Sequence, residues 1–387
     1  MRRLRSSILA HLFPSSSVTI PAYSSLHRLL FATVAPRISP NPSFVVGDYL
    51  VDTCGLTRAQ ALKASPKLAH LKSPSKPDAV LAFLAGLGLS SADVAALVAR
   101  DPEFLCAKVD KTLAPNVAEL IGLGLSSTDI ALLVSLARDR FRYRSIGSKL
   151  HYYLPLFGSS ENLFRALKSS IYLLRCNLDK VVEPNVVLLR ECGLSHCDIA
   201  KLCLHVPRML TTNLERVRMM VECAEALGVP RGSGMFRHAL QAVFFQSKEK
   251  IAAKVDYLKK TFRWSDAKVS SALAKAPLLL RRSKDMLRHK SEFLMSEVGL
   301  EPVYIAHGPA MLSYSLEGRL RPRYYVLKFL KAHGLLDHDP DYYSTVAYVE
   351  KVFVEKFIRS HKEAAPHLAE DYEAACRGEV PTRFRFT

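Results

Sequence analysis

A glycine-centred phrase returns along this chain at nearly constant intervals, and that period limits the possible folds more than any other feature. Clear copies are Gly55-Leu56-Thr57, Gly88-Leu89-Ser90, Gly124-Leu125-Ser126 and Gly193-Leu194-Ser195. Weaker ones fall at Gly158-Ser159, Gly228-Val229, Arg263-Trp264-Ser265, Gly299-Leu300 and Gly334-Leu335. Successive anchors are 33, 36, 34, 35, 35, 35, 36 and 35 residues apart. A chain of 387 residues is too long for one ordinary core, and a fixed period of this size signals a solenoid of helical repeats.

Each unit reads as helix, short helix or turn, then helix. The glycine ends one helix where a left-handed residue is needed. The Ser or Thr that follows caps the next, with Asp or Gln three residues on, as in Ser90/Asp93, Ser126/Asp129, Ser195/Asp198 and Thr57/Gln60. Proline then stops that helix at Pro102, Pro207 and Pro277, with Pro66 and Pro309 in the same role in shorter units. Arg138, Ile171 and Val243 stand in the proline position of three degenerate copies. An apolar pair follows (Phe104-Leu105, Met209-Leu210, Leu279-Leu280, Met311-Leu312), and Pro115, Pro184 and Pro322 suit the first turn of the second helix. Strand signals are absent, so the expected class is all-α.

The first 47 residues differ from the rest. They hold five arginines, nine serines and no acid, with Leu4, Ile8, Leu9 and Leu12 at helical spacing. That composition marks an organelle presequence. Arg28-Leu29-Leu30-Phe31 has the form of a mitochondrial processing site, so cleavage is expected near Phe31, with residues 32–47 a linker. Mitochondrion is the expected destination, with chloroplast or both as the alternative. The solenoid is expected over 48–336, and 337–387 reads as an acidic tail or cap. No uninterrupted apolar stretch is long enough to span a membrane.

The phrase "Leu-Gly-Leu-Ser, Asp-Ile/Val, Pro-x-Leu-Leu" resembles the mitochondrial transcription termination factor (mTERF) family. It is carried by Leu87 to Ser90 with Asp93-Val94, Cys192 to Ser195 with Asp198 to Leu202, Pro277 to Leu280, and Ser313 to Glu317 with Arg319-Leu320. The segment from Val354 to Glu363 is similar to the ending of plant members. The resemblance implies a left-handed superhelix curved like a half-doughnut, with a basic concave groove for nucleic acid. It also implies work in organelle gene expression: transcription regulation, including termination, on double-stranded DNA, or intron splicing and RNA maturation in some plant members.

Charge supports that direction independently. The chain carries +18, and residues 236–331 hold 19 Lys/Arg against 8 Asp/Glu. A basic stripe on a solenoid is the footprint of a phosphate-backbone binder. The candidate contacts are Arg281, Arg282, Lys284, Arg288 and Lys290 in one repeat, Arg319, Arg321 and Arg323 in the next, and Lys248, Lys250 and Lys254 in the one before. Arg175 and Arg208 are upstream counterparts, and Tyr314, Tyr324 and Tyr325 are candidates for stacking.

Catalytic signatures are not found: there is no phosphate loop, no GxSxG and no HExxH. Cys192, Cys197 and Cys203 with His196 and His205 lack the spacing of a common zinc module. The expectation is a monomeric, non-enzymatic protein without cofactor or metal. Its partners would be double-stranded DNA or RNA together with transcription or splicing machinery. A solenoid scaffold gripping an acidic protein is the reading from another class.

Overall fold

The structure, a computed structural model, describes residues 44–142 and 145–385. The presequence and its expected cleavage point therefore lie outside the described residues. All regular elements among the described residues are helices, and the chain divides into two compact units after His151. No described helix is long and apolar enough to cross a membrane.

All nine anchors adopt the left-handed backbone, from Gly55 (φ 71°) to Gly334 (φ 65°). The seventh is Arg263, the single non-glycine residue with positive φ among the described residues (φ 54°). There the helix Lys248–Phe262 ends on an arginine that pays the Cβ penalty glycine avoids. Gly193 has a second reason to be glycine. A Cβ on it would lie 2.7 Å from the Cα of Gly232, whose N–H donates to the Cys192 carbonyl at 2.9 Å.

After each anchor the first helix starts on its cap. Thr57, Ser90, Ser126 and Ser195 form full capping boxes with Gln60, Asp93, Asp129 and Asp198. Counting from the cap, the same three positions turn inward in repeat after repeat: Val94, Leu97 and Val98; Ile130, Leu133 and Val134; Ile199, Leu202 and Cys203; Val269, Ala272 and Leu273. Spacing of i, i+3, i+4 puts each triplet on one helix face, and burial of each large side chain contributes about 1.5–3 kcal/mol.

Pro102, Pro207, Pro277 and Pro309 open a five-residue tight turn, and the apolar pair within each turn is buried. Arg138 and Ile171 instead lead into short α-helical turns, Arg138–Phe141 and Tyr172–Arg175. Pro66 departs from expectation, because it lies inside the helix Arg58–Leu68 and does not end it. The carbonyl it leaves without a donor is that of Leu62, a residue 77% exposed, so water can take the bond.

Pro115, Pro184 and Pro322 fall in the first turn of second helices, as the pattern predicts. A wide turn precedes each, with Leu113 N–H bonded to the Lys108 carbonyl, Val182 to Asn177 and Leu320 to Ser315. Residues past Leu336 are folded against the preceding repeat. Phe384 packs 5.7 Å from Tyr325 and 6.2 Å from Phe329, ring centre to ring centre.

Candidate nucleic-acid interface

In five repeats the second helix is tied to the following turn by one inward-facing donor. In the first unit Asn116 Nδ2 donates to the Phe141 carbonyl at 2.7 Å. In the second, Asn185 Nδ2 donates to the carbonyls of Leu210 (3.0 Å) and Thr212 (2.7 Å), and Lys254 Nζ to that of Arg282 (2.7 Å). Lys290 Nζ reaches the carbonyls of Leu312 (2.8 Å) and Tyr314. Arg323 donates through one terminal nitrogen to Thr345, Val346 and Tyr348, and through the other to Glu350 at 2.8 Å. Asn116, Asn185 and Arg323 each follow the second-helix proline directly. Lys254 and Lys290, in two repeats that lack that proline, stand one position earlier counted from the cap.

This ladder corrects two of the expected contacts. Lys290 (2% exposed) and Arg323 (0%) point inward and spend their donors on backbone carbonyls, so neither offers its charge to a ligand at the surface. Burial, with Arg282 nearby, lowers the Lys290 pKa to about 8. Lys254 is half-buried in the same role, and burial, then Lys284, lowers its pKa as well.

The other candidates divide by partner. Arg288 pairs with Glu292 at 3.0 Å, and Arg321 is held by Glu317 (2.8 Å) and Glu297 (3.4 Å) against the Phe293 ring. Arg319 donates to the Tyr348 carbonyl at 2.9 Å and lies over Tyr314, which puts that ring behind a cation. Tyr324 donates to the Glu297 carbonyl at 2.7 Å and, like Tyr325, packs among neighbouring rings. Arg175, Arg208, Lys248, Lys250, Arg281 and Lys284 are exposed, and Arg282 is half-buried.

Two arginines meet at one cavity, and a third lies against an aromatic ring of its lining. A cavity of about 350 Å³ is lined by Arg208, Thr212, Arg216, Gln246, Ser247 and the Phe244-Phe245 pair. Arg216 sits 6.0 Å from the Phe244 ring centre, and Arg281 sits 5.2 Å from that of Phe245, itself 55% exposed. Two guanidinium forks suit an oxyanion such as a phosphate; the Thr212 hydroxyl is already spent on the Arg208 carbonyl at 2.7 Å. Arg216 is absent from the sequence-derived set, yet a signal for it existed. It stands three residues after the cap Asn213, as Lys250 does after Ser247.

Cys192 and Cys203 are buried thiols with raised pKa, caused mainly by desolvation, and Cys197 is exposed. Among the described residues no three His, Cys, Asp or Glu side chains are grouped to hold a metal.

Capped helix pairs on a 35-residue period, latched turn to helix, define an all-α repeat protein with a cationic surface on its second unit. Residues 50–353 match the mTERF family model, and the chain belongs to that family. It is 22% identical over 266 residues to the Arabidopsis thaliana protein named transcription termination factor MTERF8, chloroplastic, a match covering 67% of this chain and 51% of that protein. Over 108 residues it is 28% identical to transcription termination factor MTEF18, mitochondrial, of the same plant, covering 28% of this chain and 19% of that protein. The chain thus matches about half the length of one relative and a fifth of the other.

Proposed function

We propose that this protein binds nucleic acid inside an organelle and regulates transcription there, termination included, by engaging double-stranded DNA through the cationic face of its second unit. The observation that carries the reading is the pair Arg208 and Arg216 lining one cavity, with Arg281 against the Phe245 ring of that lining. The names of the two plant relatives point the same way, and the acid-free, arginine- and serine-rich start supports import, with mitochondrion as the proposed destination. Phosphate contacts of this kind position a duplex without reading its sequence. A non-enzymatic, monomeric binder that acts with transcription machinery completes the proposal.

One feature favours a second reading. Phe245 offers an open ring face with a guanidinium against it, and an unpaired base stacks on such a surface better than a paired one. RNA maturation or splicing is the corresponding role.

Fluorescence anisotropy of the full chain with labelled duplex DNA and matched RNA, across a salt series, tests both. Saturable binding whose logarithm falls by about 0.9 per phosphate contact against log salt is expected on duplex. Tighter binding to RNA would shift the role to RNA processing. Weak, non-saturating binding to both would overturn the proposal and leave the protein-scaffold reading.

A further inference from the structure

In four repeats the third residue after the second-helix cap is a cation, one of them in the first unit, where no charge excess draws attention. Lys111 stands three residues after Lys108, as Lys180 does after Asn177, Arg216 after Asn213 and Lys250 after Ser247. Arg216 borders the cleft between the second helices of two neighbouring repeats, together with Met219, Gln246, Ser247 and Lys248. Lys111 borders a cleft of the same construction, of about 360 Å³, between the helix Ser75–Gly86 and the turn Val109–Leu113.

That cleft is lined by Lys76, Lys108 and Lys111, by Ser75, and by the small side chains of Ala79 and Ala107; Asp110 is its one acid. All three lysines are exposed, and among the described residues none of them is in an ion pair. Lys108 is unlike its counterparts in a telling way. Asn177, Asn213, Ser247, Ser283 and Ser315 each accept a hydrogen bond from the backbone of the helix they cap. Lys108 has no acceptor and makes no such bond, and among the described residues its ammonium has no hydrogen-bond or ion-pair partner. Three unpaired ammonium groups around one cleft repel each other and gain most from a shared anion.

We infer that the first unit holds a phosphate-binding cleft of its own, formed by Lys76, Lys108 and Lys111, which takes the backbone of a nucleic acid. The inference rests on the proposed function and extends it to repeats that the charge count leaves unmarked. Lysine here acts as a point charge, so the cleft adds affinity and salt dependence and no base preference.

The test compares three full-length proteins on one labelled random-sequence duplex and on RNA of the same sequence: the unsubstituted chain, the triple variant Lys76→Gln, Lys108→Gln and Lys111→Gln, and the double variant Arg208→Gln and Arg281→Gln. The lysine variant is expected to melt at the unchanged temperature, to bind about tenfold more weakly or worse, and to flatten the salt slope by up to about 0.9 per lost contact. Unchanged affinity and slope in the lysine variant, with binding weakened by the arginine variant, would overturn this cleft alone. Failure of the unsubstituted chain to bind either polymer would overturn the proposed function and this inference with it.

Discussion

Lys290 donates to the carbonyl of Leu312, 22 residues further on, at 2.8 Å, from a side chain that is 2% exposed. With its second bond to Tyr314 it closes the end of the turn Pro309–Ser313 onto the preceding repeat. Lys290→Met keeps the aliphatic volume and leaves one buried and one part-buried carbonyl without this donor. A loss of about 2–4 kcal/mol is expected in urea unfolding, since each orphaned group costs about 1–3 kcal/mol.

The same lysine makes stability depend on pH with a sign opposite to the usual lysine pair. Its folded pKa of about 8 lies below the ordinary lysine value, because burial disfavours the charged form. Between those two values the unfolded chain binds more protons than the folded one, so stability rises with pH above about 8, at no more than about 1.4 kcal/mol per pH unit. The difference in unfolding free energy between the natural chain and Lys290→Met should widen across that window. A constant difference would show that Lys290 is not titrating there.

Arg323 and Arg281 separate stability from binding. Arg323 is buried against Phe353, and its partner Glu350 also accepts from the Tyr372 hydroxyl at 2.9 Å. Arg323→Met is expected to cost about 2–4 kcal/mol and leave the salt slope of nucleic-acid binding unchanged. Arg281→Ala should weaken binding at nearly unchanged stability. Matched urea curves and anisotropy titrations decide both.

At the seventh anchor the natural residue is the strained one. Arg263→Gly should stabilise the protein by about 1 kcal/mol, the usual penalty of a non-glycine residue in left-handed backbone. Gly228→Ala, one repeat earlier at φ 84°, should destabilise by a similar amount. Thermal melts of the two variants should move in opposite directions.

Gly308 is a steric key for the last helices. A Cβ there would meet the Tyr343 ring at 2.7 Å, and Tyr304 accepts a hydrogen bond from the Tyr343 backbone at 2.7 Å beside that contact. Gly308→Ala should cost about 1–3 kcal/mol by displacing the helix Tyr342–Ala347. Protection of its amides from hydrogen exchange should fall selectively.

Periodic signals carried the fold into view: anchors, caps and prolines mark positions where the backbone has few choices, so their spacing reports helix boundaries directly. Pro66 was misleading because a proline ends a helix only when the freed carbonyl lacks another partner, and exposure of Leu62 is a tertiary fact. The binding face was less legible, since a run of basic residues does not say which of them face inward. Even so, a clue was present. Leu287, Lys290 and Leu294 share the i, i+3, i+7 stripe of a buried face, as do Leu320, Arg323, Leu327 and Leu330. Arg216 and Lys111 went unnoticed because their repeats lack the charge density that marks the later ones.

The ladder of buried donors joins residues only 22 to 28 positions apart. Topologies dominated by such short loops fold quickly, because little chain entropy is lost before each closure is rewarded. A chain that emerges gradually from a ribosome or a narrow pore could therefore secure each repeat as soon as the following turn is free. It would not have to wait for its far end.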